Sequence, residues 1–582
     1  MRSCRIERPA RRYIVVLTAS LLGIPPASAQ LGPPVSLVPA PAGPREGSVS
    51  PAPRGDVPAP IPNDDDIKAQ PLAPTDSSWV GTLHDDQGAL PATLWRGTAR
   101  GFVVAALPLL APSTSPALHD LARRLLLSNA TSPAGQDPPD RPSLAATRLD
   151  RLLALGDVTG AQAILDQLPA DPNGDNLDRT QIELRFAAGD GTGACGAVED
   201  RIARYQNVWW DRALIACQAL AGDSAKAALG LSLLKEQKAA PDPTFDALIE
   251  TLGGRPHKID KLSDPTPLRL TLLAAAKLPL PQDALAAAGP GALLAYASST
   301  ALPAETRLAA AESAALLGAL PPEQLGALYQ QIDMRPEDEV AALKEGKLPD
   351  NPKSRAILYT IARSNAPADK REAAMTALLG EARRRGAFPV TARLLAPALD
   401  ELTPAGASPA FAGEAARILL VTGAGEAALP WLDAAGGAEL RVLRRLAGAA
   451  SGDPRDATGL LRDSIAELAN RDSAAASAQA GLLVALLAGF DERVAAPDWA
   501  PLLAPPHEAK LPSAALLIDQ QQAAADQRIG ETVLTTVLLL QDGERLSLEP
   551  VLLGHAIAGL RAIGQDGAAR ALAVEAAVDA GI

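Results

Sequence analysis

The sequence predicts an all-α fold: a right-handed superhelix (α-solenoid) of antiparallel helical hairpins, preceded by a disordered Pro-rich segment. Two observations predict it. The pair Gly-Asp recurs at 156–157, 189–190 and 222–223, a spacing of 33 residues twice over. A fixed period of that length marks stacked helical hairpins, which bury a hydrophobic face only against their neighbours. Elsewhere Leu and Ala recur three and four residues apart, while the alternation of β-branched residues that strands require is scarce.

The first 29 residues have the form of a secretory signal. Arg2, Arg5, Arg8, Arg11 and Arg12 make a basic start, residues 13–24 are mostly apolar, and Pro25-Pro26 precede Ala27-Ser28-Ala29, an A-x-A cleavage site. So short an apolar run cannot span a bilayer, which takes about 20 residues. Cleavage is expected after Ala29 and the destination is expected to be periplasmic. Removing five Arg and one Glu takes the net charge from −13 to −17. A chain that acidic repels phosphate, so neither nucleic acid nor anionic lipid is an expected partner. No later apolar run is long enough to form a transmembrane segment in the mature chain.

Residues 30–78 read as a linker. Twelve prolines between Pro33 and Pro74 exclude regular helix or sheet. Asp64-Asp65-Asp66 lies inside it and lacks the Gly and terminal Glu of a calcium loop, so it reads as a solvated acidic run. N-terminal helical repeats are expected over 79–252, central repeats over 268–496 and C-terminal hairpins over 513–582. Pro-rich breaks at 253–267 and 497–512 separate them. The first expected helices are 90–107, 115–130 and 143–155, and the repeats carry them on to 224–237. They resume at 268–277 and run to 437–449, then 455–470, 472–489, 513–525, 529–541, 547–563 and 566–580.

Each Gly-Asp pair has a physical task. Gly past the last apolar turn takes the left-handed conformation that closes a helix, and Asp after it accepts hydrogen bonds from the next helix's free amides. Other columns share the register: Leu149, Ile182 and Ile215 before the pair, Ala161, Ala194 and Ala227 after it, then Leu165, Val198 and Leu231. Small residues in the Ala column let two helices approach closely.

Cys4 leaves with the signal, so Cys195 and Cys217 remain, and an oxidising compartment invites a structural disulfide between them. The register supports the pairing. Cys195 falls five residues after Asp190, and Cys217 five before Gly222. The two are equidistant from Gln206-Asn207, the expected turn of one hairpin.

Chemistry-bearing motifs are missing. None of the five histidines, His84, His119, His257, His507 and His555, falls in a metal-binding spacing. There is no nucleophile elbow, Walker loop or dinucleotide glycine fingerprint. No catalytic residue, cofactor or metal ligand is therefore expected, and the chain is not expected to be an enzyme. Aromatic residues make up 3% of the chain, too few for sugar-stacking faces. The Trp209-Trp210 doublet is expected to place one ring in the hairpin core and lean the other outward.

The 33-residue period with helix–Gly–Asp–helix punctuation resembles tetratricopeptide-like and related α-solenoids over about 145–240. The resemblance implies a concave surface for a peptide or protein. The helical body also resembles the superhelical region of periplasmic peptidoglycan-processing proteins and their activators. The expected function is an exported periplasmic scaffold that binds protein or peptide partners of the cell envelope. The alternative is a cell-wall polymer hydrolase, or an activator of one, with carboxylates in the superhelix.

Overall fold

Helix dominates the computed structural model, which describes residues 76–582 except 140, 169–173, 344–349, 437, 447–473, 492–511 and 544. The expected signal, the Pro-rich stretch up to residue 75 and the expected helix at 455–470 lie outside the described residues. Asp76 already belongs to the folded body, because it pairs with Arg100 at 2.6 Å.

The Gly-Asp pairs do what their chemistry predicts. Gly156, Gly189 and Gly222 hold φ of 80°, 77° and 81° and close the helices before them. The amide of each following Asp reaches back five residues, as Asp157 does to the Leu152 carbonyl at 3.0 Å. The same side chains then cap the next helix. Asp157, Asp190 and Asp223 accept from the amides of Gly160, Gly193 and Lys226 at 2.8, 2.8 and 3.2 Å. All nine residues of the register columns are buried, with Ala161 and Ala194 fully so.

Past Asp223 the strict period is lost but the cap persists. Gly254, Gly318, Gly386, Gly423 and Gly564 take the same left-handed conformation just past helix ends, and Lys238, Lys277 and Gln527 do so without being glycine. Helix starts are equally regular: Asp242, Thr266, Asn351 and Ser408 each cap a helix whose first residue is Pro.

Three expectations are corrected. The helix expected at 90–107 is confined to Arg100–Ala106, because Pro91 begins a series of turns and Gly97 adopts φ 80°. Helix Pro243–Leu252 was not expected; Asp242 caps it through the Phe245 amide at 3.0 Å, and Pro243 occupies the first turn rather than breaking it. A two-stranded hairpin, Gln541–Asp542 with Arg545–Leu546, turns at Gly543 where only helix and loop were foreseen.

Packing also reaches beyond nearest neighbours. Helix Asp175–Ala187 touches Pro267–Ala275 and Pro290–Ala297 as well as the helices adjoining it in sequence. Helix Pro116–Leu127 packs against Ile529–Leu540 and Asp566–Asp579. Backbone and side-chain hydrogen bonds fasten this joint. The Gly530 amide donates to the Leu94 carbonyl at 2.8 Å, the Ala111 amide to Gln541 Oε1 at 2.8 Å, and Arg124 Nη2 to Gln565 Oε1 at 2.7 Å. A helix near the start of the described residues, Pro116–Leu127, thus packs against the last, Asp566–Asp579.

Candidate functional site

The clearest open groove runs along helix Ala368–Arg385. One face of this helix, with Arg371, Ala374, Met375, Leu378, Leu379 and Ala382, is buried in the core. The opposite face carries Ala373, Thr376, Ala377 and Gly380 at helical spacing, and they floor a groove of about 820 Å³. That volume is in the range of ligand-binding clefts, about 300–1,000 Å³. The floor is low because its side chains are small; a methyl group at Gly380 would meet nothing within 4 Å.

Two ion pairs hold the walls. Lys370 reaches Glu339 at 3.0 Å and fixes helix Pro336–Ala342 on one side. Arg383 pairs with Glu414 and fixes helix Pro409–Val421 on the other. Such partly exposed pairs add little stability, but they set the spacing. Leu343, Leu358 and Phe411 supply apolar wall, and Asp369 and Glu372 bring carboxylates to one end. At the other end Arg384 pairs with Glu381.

The tryptophan doublet divides as expected. Trp210 is fully buried, stacks on Tyr205 at 4.8 Å and donates its Nε1–H to Asp175 at 2.7 Å. Trp209 is half-buried, and the Arg179 guanidinium sits 5.4 Å from its ring centre. Trp79 and Trp95 meet edge to face at 4.7 Å in the core. Trp499 lies outside the described residues.

Cys195 and Cys217 stand at disulfide distance, with their Cα atoms 5.4 Å apart on helices Gly191–Arg201 and Val208–Leu220. The described histidines do not converge. His257 pairs with Glu250 at 2.8 Å, His555 bonds Gln521, and the Nδ1 of His119 is buried without a hydrogen-bond partner. His507 lies outside the described residues. Among the described residues no group of three or more metal-ligating side chains comes together.

Buried charge occurs instead in structural positions that no spacing revealed. Arg148 is fully buried and donates to the carbonyls of Leu126 at 2.6 Å and Val80 at 2.5 Å, with Trp79 4.6 Å from its guanidinium carbon. Glu312 accepts from Tyr329 at 2.7 Å and from Arg355 at 2.8 and 2.6 Å. Two glutamates cap helix starts from other helices. Glu575 accepts from the Ala117 amide at 3.0 Å and bonds the Ser115 hydroxyl; burial pushes its carboxyl up to about 8. Glu183, half-buried rather than buried as a residue, accepts from the Leu268 amide at 2.9 Å and bonds Thr266, and desolvation of its carboxyl pushes it up to about 7.

No family model, curated protein or solved structure matches this chain.

Proposed function

We propose that the chain is an exported periplasmic binding protein whose helical body receives a segment of a cell-envelope protein in the groove along Ala368–Arg385. The groove carries the reading: its exposed small-residue floor lies between two walls held by ion pairs. A segment with small or flat apolar side chains suits the floor. Its charge is expected to be positive where it meets Asp369 and Glu372, in keeping with the acidity of the mature chain. The basic, apolar and A-x-A sequence of the N-terminus supports export, as does a cysteine pair at disulfide distance.

The test is site-specific photocrosslinking in intact cells, with the crosslinker at Thr376 in the groove or at Leu229, an exposed residue on helix Ser224–Glu236. An envelope protein captured from Thr376 and not from Leu229 is then purified. Its affinity should fall at least tenfold for Ala373→Trp, which fills the floor, with no change in Tm. Equal capture from both positions, or an unchanged affinity, overturns the reading.

A further inference from the structure

The joint between helices Pro116–Leu127 and Asp566–Asp579 has an unusual chemical centre. Glu575 is 4% exposed and sits in the interior of helix Asp566–Asp579. Its Oε2 accepts from the amide of Ala117, in the first turn of Pro116–Leu127, while its Oε1 is buried without a partner. One oxygen is thus satisfied by a helix start and the other by nothing. A proton suits this site, because it removes the charge that burial penalises. A carboxylate there keeps the Ala117 donor on one oxygen and leaves the other desolvated and bare.

Asp579, one turn along its own helix, opposes ionisation of Glu575, and Arg393, from helix Phe388–Leu399, favours it. Pro116–Leu127 contributes His119, Asp120, Arg123 and Arg124; Arg123 pairs with Asp157, and Arg124 bonds Gln565 and lies 3.9 Å from Asp120. On Pro550–Ala562, His555 bonds Gln521 and Arg561 pairs with Asp491 and Asp566. On Pro409–Val421, Glu414 pairs with Arg383 and lies 3.9 Å from Arg417. Ala438–Leu446 carries Arg444 and Arg445, and Ala474–Gly489 carries no charge. Among the described residues no acidic side chain on these helices hydrogen-bonds Glu575.

The geometry points to a proton-dependent latch: protonated Glu575 holds Pro116–Leu127 to Asp566–Asp579, and loss of that proton loosens the two helices from each other. The contact at Glu183 has the same form, a glutamate from one helix meeting the N-cap Thr266 and the Leu268 amide of another. It joins helices inside the repeats rather than the chain's two ends, and so serves as the internal control.

Hydrogen exchange followed by mass spectrometry on the full chain tests this between pH 6 and pH 9, with rates corrected for the intrinsic pH dependence of exchange. Protection of 116–127 and 566–579 is expected to fall at least tenfold relative to 208–220 as pH rises. In Glu575→Gln, which stays neutral, that relative fall should vanish. Glu183→Gln should leave the profile of 116–127 unchanged. A wild-type profile flat across this range overturns the latch, whether or not Glu575→Gln folds. So does an equal fall in Glu575→Gln.

Discussion

A β-carbon placed on Gly156 would lie 2.3 Å from the β-carbon of Ala319 and 2.8 Å from that of Pro290. Gly189 and Gly222 hold the same backbone conformation, yet a β-carbon there would meet nothing within 4 Å. Identical motifs therefore carry different burdens. Gly189→Ala and Gly222→Ala should each lose about 1 kcal/mol, the cost of a side chain at positive φ. Gly156→Ala should lose about 3 kcal/mol, because overpacking adds to that strain. Chemical denaturation of the three variants checks this, and equal losses would show that the close approach to Ala319 is not made.

Arg148 is a second point of leverage. It is fully buried, and its partners are main-chain carbonyls and the Trp79 ring rather than a carboxylate. Lys cannot present donors in two fixed directions, so Arg148→Lys leaves either the Leu126 or the Val80 carbonyl unpaired. A loss of about 2–3 kcal/mol is expected, with earlier proteolysis near residues 78–80. Full retention of Tm in Arg148→Lys would contradict this account.

How much of this was legible follows from what each feature depends on. The helix stops and starts were, because a left-handed Gly and a capping Asp are local chemistry that Gly156-Asp157 or Gly222-Asp223 declares by itself. The columns Leu149–Ile182–Ile215 and Ala161–Ala194–Ala227 were too, since burial in a repeat is periodic. The helix at Pro243–Leu252 went unforeseen although Asp242 before Pro243 is a local start signal; proline both breaks a helix and begins one, and the cap distinguishes the two roles. The groove was not legible: small residues at helical spacing such as Ala373, Thr376, Ala377 and Gly380 are common in so Ala-rich a chain, and its walls depend on Lys370–Glu339 and Arg383–Glu414, each pair 31 residues apart. The joint between the ends was beyond reach, because Ala117 and Glu575 are 458 residues apart and no period links them.

Stability should fall as pH rises, opposite to ordinary acid denaturation. In the folded chain burial raises Glu575 to about 8 and Glu183 to about 7, above their unfolded value of about 4.3. The folded state therefore holds protons that the unfolded chain has released. These two groups contribute no penalty below about pH 4. The penalty grows as pH rises from there through 7 for Glu183 and 8 for Glu575, by at most about 1.4 kcal/mol per pH unit for each. Tm measured from pH 5 to pH 9 should decline, and the double variant Glu183→Gln/Glu575→Gln should flatten the decline. A wild-type Tm that climbs over this range would count against both raised carboxyls.

The Cys195–Cys217 pair gives the last prediction. The two residues sit on consecutive helices, equidistant from the turn that ends at Asn207, the N-cap of Val208–Leu220. With 5.4 Å between Cα atoms, a bond needs no movement of the backbone. Closing a loop 22 residues in separation should stabilise the chain by roughly 3 kcal/mol, mainly by restricting the unfolded state. Non-reducing peptide mapping of protein folded under oxidising conditions should recover the two cysteines in one linked peptide pair. Reduction, and separately the double variant Cys195→Ala/Cys217→Ala, should each lower stability by about that amount, the variant losing slightly more because Cys217 packs in the core at 4% exposure. Reduction that leaves Tm untouched, with both thiols free on mapping, would show that the bond does not form.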